Sequence, residues 1–461
     1  MKKYKKSIFL FRRDLRLIDN TGLIGASKSS LQTIPCFILD PKLLKKSNPK
    51  FSKFRLQFLQ ECLIDLDEQL QQEKSHLSIF SGLPEKIIEN LINILKIDAV
   101  FVNTDYTPFS KKRDENIRKI CNKYKVDFIA TNDLLLHDVD EIKTLKDQPY
   151  KVFTQFFSKA KELPVRKPQR YHFSNLSGNK IKSDITIDKV ENYFGKNNHE
   201  LSFGGRKSGM QLMDNLKNLT NYKDDRNFPA INGTSMLSAH NRFGTYSIRE
   251  VYHKILQVLG PTHTLITEIH WRDFFTYIMH HYPYSFSKEF NKKYQKIPWS
   301  KNKTTFTKWC EGKTGFPIVD AGMRELNVTG FMHNRVRMIV ASFLTKDLHV
   351  DWRYGEQYFA SKLVDYDPSV NIGNWQWVAS TGCDAQPWFR IFNPWLQQQK
   401  FDSDCIYIKK WIPELESLSS KVIHSLDMKY PENIDYPKPM IDHKSESAYT
   451  KEIFKEMPRV L

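Results

Sequence analysis

Five short apolar runs punctuate the first 130 residues: "SIFLF" (7–11), "IPCFIL" (34–39), "LSIF" (77–80), "AVFVN" (99–103) and "VDFIA" (126–130). Runs this short and this continuous suit strands buried on both faces. Between several of them lie longer stretches, notably 51–73 and 84–96, whose apolar positions recur three and four apart, as on one face of a helix. Strands alternating with helices predict a parallel sheet with crossover helices, a Rossmann-like α/β domain over 1–130. No Gly-x-Gly-x-x-Gly follows the first strand, so the dinucleotide fingerprint is missing, and the topology alone assigns no ligand.

The pattern changes after residue 130. Over 131–200, helical patches alternate with polar stretches such as "KELPVRKPQR" (161–170), which reads as a connector between domains. From 201 to 461 strand signals almost vanish. Amphipathic helices are predicted over 208–221, 246–259, 264–281, 317–328, 332–347 and 353–363, giving a mainly helical second domain.

Composition adds a partner to this picture. The 461 residues carry a formal charge of +18, which favours a polyanion such as nucleic acid or an anionic surface. A lysine-rich solvated surface accounts for the charge equally well. The 31 Phe, 20 Tyr and 9 Trp exceed what packing asks for and point to stacking surfaces. Six scattered cysteines without a CxxC pair argue against a disulfide framework or a zinc site and for a reducing, cytoplasmic setting. The basic start "MKKYKKSIFLFRRD" lacks the apolar length of a signal peptide, and no run of about 18 apolar residues marks a membrane span.

Four stretches carry candidate chemistry. In "EIHWRDFF" (268–275), Glu268, Trp271 and Phe275 fall on one helix face, placing a carboxyl one turn from an indole. Read alone, this is also an exposed glutamate beside a buried tryptophan. "FMHNRVRMIVASF" (331–343) sets Asn334 one turn before Met338, or is simply a basic amphipathic helix. "LVDYDPSVNIGNWQW" (363–377) brings Asp365, Asp367 and Asn371 together, to pair with Arg337, to face a cofactor, or to form turns. "GTSMLS" (233–238) clusters Thr234, Ser235 and Ser238 after Gly233, which suits a phosphate or an ordinary helix cap.

Taken together and in order, "FRRDLRLIDN", "YKVFTQF", "GTSMLS", "EIHWRDF", "EGKTGFPIVDAGMRELNVTGFMHNRVRMIVASF", "WRYGEQYF" and "NWQWVASTGCDAQPWFRIFNP" resemble the DNA photolyase/cryptochrome family from about residue 7 to about 440. The resemblance implies an N-terminal α/β antenna domain and a helical C-terminal domain holding one FAD. Tyr222, Thr234, Ser235, Met236, Leu237 and Ser238 would clasp the pyrophosphate. Arg337, Asp365, Tyr366 and Asp367 would hold the flavin end, with Asn371 facing N5. Helical residues two apart point about 200° apart. The resemblance implies that Trp375 faces the flavin and starts an electron relay through Trp352 and Trp299, while Trp377, pointing the other way, faces the substrate opposite Trp271.

At positions that separate the branches, the chain carries Asn334 and Met338 where (6-4) photolyases and animal-type cryptochromes have histidines. It has Asn371 where plant-type cryptochromes tend to have aspartate, and it stops at Leu461 without their long tail. Glu268, Trp271, Asn334, Met338 and Trp377 together resemble a class I cyclobutane pyrimidine dimer photolyase. This implies a monomer acting on UV-damaged DNA in the nucleoid, with fully reduced FAD (FADH⁻) passing an electron to a flipped dimer. The alternative is a blue-light photoreceptor without repair activity. The resemblance also implies that Arg226, Arg272, Arg335 and Gln397 contact the DNA beside Glu268, Trp271 and Asn334. A second, antenna chromophore would be a folate, a deazaflavin, another flavin, or absent. Two positions depart from the family pattern: Phe331 stands where tryptophan is usual and Gln155 where proline is common.

Overall fold

The computed structural model describes residues 2–178, 181 and 203–457; much of the stretch read as a connector lies outside them. These residues form two compact units, 1–218 with 235–281 and 219–234 with 282–461.

The first unit contains the predicted sheet. Its strands are β1 (Tyr4–Phe11), β2 (Ser30–Leu39), β3 (Ser78–Ser81), β4 (Ala99–Asn103) and β5 (Asp127–Thr131), in the order β3-β2-β1-β4-β5, every pair parallel. Helices α1 (Thr21–Ser29), α2 (Lys53–Gln72), α3 (Pro84–Leu95) and α4 (Pro108–Lys123) make the crossovers. One face of the sheet buries Ile8, Leu10, Val100 and Val102 against Ile88, Leu91 and Ile117 from α3 and α4. The residues alternating with them, Phe9, Phe11 and Phe101, are buried as well, and burial on both faces is why the strands read as continuous apolar runs.

Strand order reverses between β1 and β4, where ligands of open α/β sheets usually bind. Here ion pairs occupy that point: Arg12 with Asp114, Arg13 with Asp105 at 3.6 Å and Arg16 with Asp133 at 2.5 Å. Burial alone would raise the Asp133 carboxyl, but Arg16 and Arg249 hold it below the usual carboxylate range.

Three further helices complete the part of this unit that bears on function. These are α5 (Phe153–Ala160), α6 (Ile248–Leu259) and α7 (Thr264–His281). The start of α6 is fixed by a capping box, Ser247 with Glu250. Gln155 lies in the first turn of α5, where proline and glutamine are both accommodated because the N–H has no intrahelical acceptor.

The second unit is helical among its described residues. The elements used below are α8 (Pro317–Thr329), α9 (Asn334–Ser342), α10 (Trp352–Lys362), α11 (Pro368–Val378) and α12 (Pro394–Phe401). The helix expected over 332–347 is in fact α9 followed by a π-helical turn, Phe343–Asp347. The turn buries Lys346, whose ammonium donates to Ser380 Oγ at 2.8 Å and to the Arg390 carbonyl. Burial lowers its pKa to about 7. Among the described residues, no helix is long and apolar enough to cross a membrane.

Candidate functional site

In the first unit, α7 presents the expected face. Trp271 lies 5.5 Å from Phe275, ring to ring, and both Trp271 and Glu268 are half-buried. The indole also stacks face to face on Phe153 of α5, with centroids 3.6 Å apart and planes 8° apart. Sequence reasoning assigned Phe153 no role. Arg272, on the next position of α7, turns to Asp273 at 2.6 Å and to the Leu134 carbonyl at 3.0 Å, so its guanidinium is committed within the unit. In segment 235–238, Ser235 is half-buried, Met236 lies in the left-handed region (φ 53°) and Leu237 is buried. The Leu237 carbonyl accepts from the Tyr246 hydroxyl at 3.1 Å, and Ser238, exposed, opens a short helix.

His280 and His281, at the end of α7, cluster with Asp140. The Lys111 ammonium is 3.3 Å from His280 and that of Lys143 is 3.8 Å from Asp140. Two cations therefore already face these groups.

The second unit holds the rest. At its start, Gly233 packs so closely that a Cβ there would sit 2.5 Å from the Asp225 carbonyl oxygen. Thr234 follows, half-buried, and Tyr222 is buried beneath the Arg226 guanidinium, 5.6 Å from its ring. Arg335 on α9 lies over the Phe401 ring at 4.5 Å and donates to Asn227. Burial and the nearby charge of Arg226 lower its pKa. Two neighbouring guanidinium groups beside an aromatic ring are chemically suited to a phosphate. Gln397, one turn before Phe401 on α12, keeps a side-chain oxygen without a hydrogen-bond partner.

On α9 the Asn334 amide donates to the Met338 sulfur at 3.9 Å, which confirms that the two share a face. Arg337 points elsewhere, as its position on the helix requires. It grips Asp365 with two bonds of 2.8 and 3.2 Å and donates its Nε to the Met332 carbonyl. Asp367 caps α11 by accepting from the Ser369 N–H.

Asn371, one turn into α11, donates its amide NH₂ to Glu356 of α10 at 3.3 Å. Glu356 also accepts from the Tyr366 hydroxyl at 2.8 Å. With its NH₂ engaged, Asn371 retains its carbonyl oxygen as an acceptor, which suits a protonated ring nitrogen. These features fit FAD: a fixed acceptor for the reduced ring, a two-pronged arginine–carboxylate pair, and a tight glycine turn before hydroxyl residues. Glu356 carried no signal in the sequence beyond its place in "WRYGEQYF".

The two tryptophans of α11 separate as helix geometry demands: Trp375 is 2 % exposed, Trp377 half-exposed. Trp375 packs its ring edge over Gly355 and lies 6.3 Å from Trp309 and 5.0 Å from Phe359. Trp352, at the start of α10, is buried. Its indole N–H donates to the Glu289 carboxylate at 3.3 Å, and Arg353 sits 4.8 Å over the ring. Trp299 is half-buried against Tyr294, Ile297, Ile453 and Phe454. Between Trp375 and Trp377, the Gln376 side chain ties down 285–290 with bonds to Ser285, Lys288 and Phe290.

Comparison with known proteins agrees with this geometry. Residues 7–170 match the DNA photolyase family and residues 265–456 the FAD binding domain of DNA photolyase. A deoxyribodipyrimidine photo-lyase of Alkalihalophilus pseudofirmus is 36% identical, covering 96% of this chain and 97% of its own. Among solved structures, an archaeal photolyase from Sulfolobus tokodaii with two FAD molecules superposes with a TM-score of 0.87 at 41% identity. The match covers 98% of this chain and 99% of that one. A Synechocystis cryptochrome gives a TM-score of 0.89 at 29% identity, covering 98% and 100%. Matched along nearly its whole length in sequence and in fold, this chain belongs to the DNA photolyase/cryptochrome family.

Proposed function

We propose that this protein is a light-driven DNA repair enzyme that splits cyclobutane pyrimidine dimers, of the class I kind, with fully reduced FAD as its working cofactor. The observation that carries the class is the α9 face on which the Asn334 amide meets the Met338 thioether. (6-4) repair needs histidine acid–base chemistry at these two positions, and neither an amide nor a thioether exchanges a proton near neutral pH. Splitting a cyclobutane ring by electron transfer and return needs no such proton.

Bound and reduced, FAD supplies the electron that light promotes. The protein's own residues bind, orient and exclude water. Tyr222, Thr234, Ser235, Met236, Leu237 and Ser238 hold the pyrophosphate, Arg337 with Asp365, Tyr366 and Asp367 hold the flavin end, and the Asn371 carbonyl accepts from N5. Trp271 and Trp377 offer planes to the flipped dimer, worth about 1–3 kcal/mol for each stacked base. Glu268 hydrogen-bonds a pyrimidine carbonyl. Arg226 and Arg335 meet the phosphates with Gln397 beside them, so binding weakens as salt rises. Trp375, Trp352 and Trp299 would relay electrons from a reductant in solution to the bound flavin.

The division at residues 130 and 200 belongs to the same reading, with the first segment gathering light and the last doing the chemistry. The relative with two FAD molecules makes a second flavin the first antenna to test, ahead of a folate or a deazaflavin. We read the working form as a monomer in the cytoplasm, associated with the nucleoid through DNA. A second reading, a photoreceptor that signals without repair, is favoured by the likeness to the Synechocystis cryptochrome.

The test is to illuminate reduced, FAD-loaded protein with two oligonucleotides, one carrying a single cyclobutane thymine dimer and one a (6-4) photoproduct. The proposal expects the first restored and the second unchanged. Repair of the second would overturn the class, and repair of neither would favour the photoreceptor.

A further inference from the structure

We propose that Phe153 is a positioning residue for damage recognition, stacking on the Trp271 indole and so holding its orientation for the flipped base. The inference rests on the repair reading above and adds to it a residue of the α/β unit that touches no substrate. It comes from the motif "YKVFTQF", which the functional assignment otherwise leaves unused.

Phe153 opens α5 and is buried, 6 % exposed. One turn on, Phe157 lies parallel to it, 5.7 Å between centroids and 6° between planes. One turn further, the Lys161 ammonium sits 5.8 Å from the Phe157 ring. Trp271 is also parallel to Phe153, at 3.6 Å and 8°. Phe157, Phe153 and the half-exposed indole are thus nearly parallel, with Phe275 packed on the indole at 5.5 Å and 30°. Edge contacts fix the middle of the stack: Phe274 meets Phe153 at 76° and Trp271 at 82°, each 5.7 Å away.

A half-buried indole, left to itself, rotates about two side-chain torsions, and binding a flat base must stop that rotation. A face-to-face partner stops it beforehand, so less ordering is lost when the base arrives. Only a plane does this. Leucine or methionine fills the same space but leaves the indole free to tilt. The role therefore concerns the orientation of Trp271, and its effect falls on binding of an extruded base, not on contacts to the DNA backbone.

The test measures dark binding of FAD-loaded protein to a duplex with one cyclobutane thymine dimer and to the same duplex undamaged. Phe153→Leu is expected to weaken binding of the damaged duplex by about tenfold, within the range of one stacking contact, and to leave undamaged binding unchanged. Phe153→Tyr, which keeps the plane, is expected to restore it. Phe153→Leu with Trp271→Leu is expected to bind no worse than Trp271→Leu alone. Equal loss on both duplexes, no rescue by tyrosine, or additive losses would overturn the inference. Flavin content and melting temperature show whether each variant folds, and Phe153→Met replaces Phe153→Leu, with the same expectations, if it does not. A wild-type protein with no preference for the damaged duplex would instead sink the repair reading, and this inference with it.

Discussion

Glu356 and Asn371 are joined by a hydrogen bond in which the amide donates, at 3.3 Å, so the Asn371 carbonyl is the atom left to meet a ligand. A freed amide would turn over and offer its NH₂ to an unprotonated N5 as readily as its oxygen to a protonated one. Glu356→Ala is therefore expected to keep FAD but to lose about tenfold of the preference for its reduced form, or about 1.4 kcal/mol. A redox titration of the bound flavin, showing a lower midpoint potential than wild type, checks this.

The Gly355–Trp375 contact leaves no room for a side chain. A Cβ on Gly355 would lie 2.2 Å from the far edge of the indole and 2.6 Å from Leu344. Gly355→Ala is expected to cost about 1–3 kcal/mol of stability by overpacking and to displace Trp375. Its signature is a lower melting temperature together with slower photoreduction of oxidised FAD.

His333 gives α9 a pH-sensitive cap. Its Nδ1 accepts from the Arg335 N–H at 3.2 Å, which requires that nitrogen to be unprotonated. Burial, with Arg337 and Arg335 nearby, lowers its pKa to about 4. The unfolded chain protonates this histidine near its ordinary value while the folded chain resists. The contribution is thus complete above about pH 6.5 and is lost as pH falls toward 4, on the order of 1 kcal/mol per unit. Denaturant melts from pH 7 to 4.5 should show wild type losing more stability than His333→Asn, which caps without titrating.

Substituting Trp375 or Trp352 tests the proposed relay apart from repair. Trp375→Phe is expected to slow photoreduction of oxidised FAD at least tenfold, as loss of the proximal donor requires. It should leave dimer splitting intact once the flavin is reduced chemically. Trp352→Phe should slow photoreduction likewise. Photoreduction surviving in Trp352→Phe would route the electron through Trp309, the indole 6.3 Å from Trp375.

Most of the architecture could be read from the sequence, because buried parallel strands and amphipathic helices leave local periodic signals. The strand read as 34–39 begins at Ser30; Ser30, Gln32 and Thr33 are polar and Leu31 is exposed, so its start carries no apolar run. The opposite faces of Trp375 and Trp377 followed from helix geometry alone. The π-helical turn at Phe343–Asp347 was hidden, because it accommodates a buried lysine whose partners, Ser380 and Arg390, come later in the chain. Phe153, Glu289 and Glu356 were missed for the same reason. Each acts on a residue brought to it by folding, Trp271, Trp352 and Asn371 respectively, and nothing in its own neighbourhood shows that. The partners of Arg272, Asp273 and the Leu134 carbonyl, were likewise not legible, since Leu134 is distant in the chain.

The most direct measurement is to follow recovery of thymine absorbance in a dimer-containing oligonucleotide with purified, chemically reduced protein, in blue light and in the dark. The account predicts recovery in light, with many dimers split per protein, and none in darkness. No recovery under light with reduced flavin demonstrably bound would contradict it.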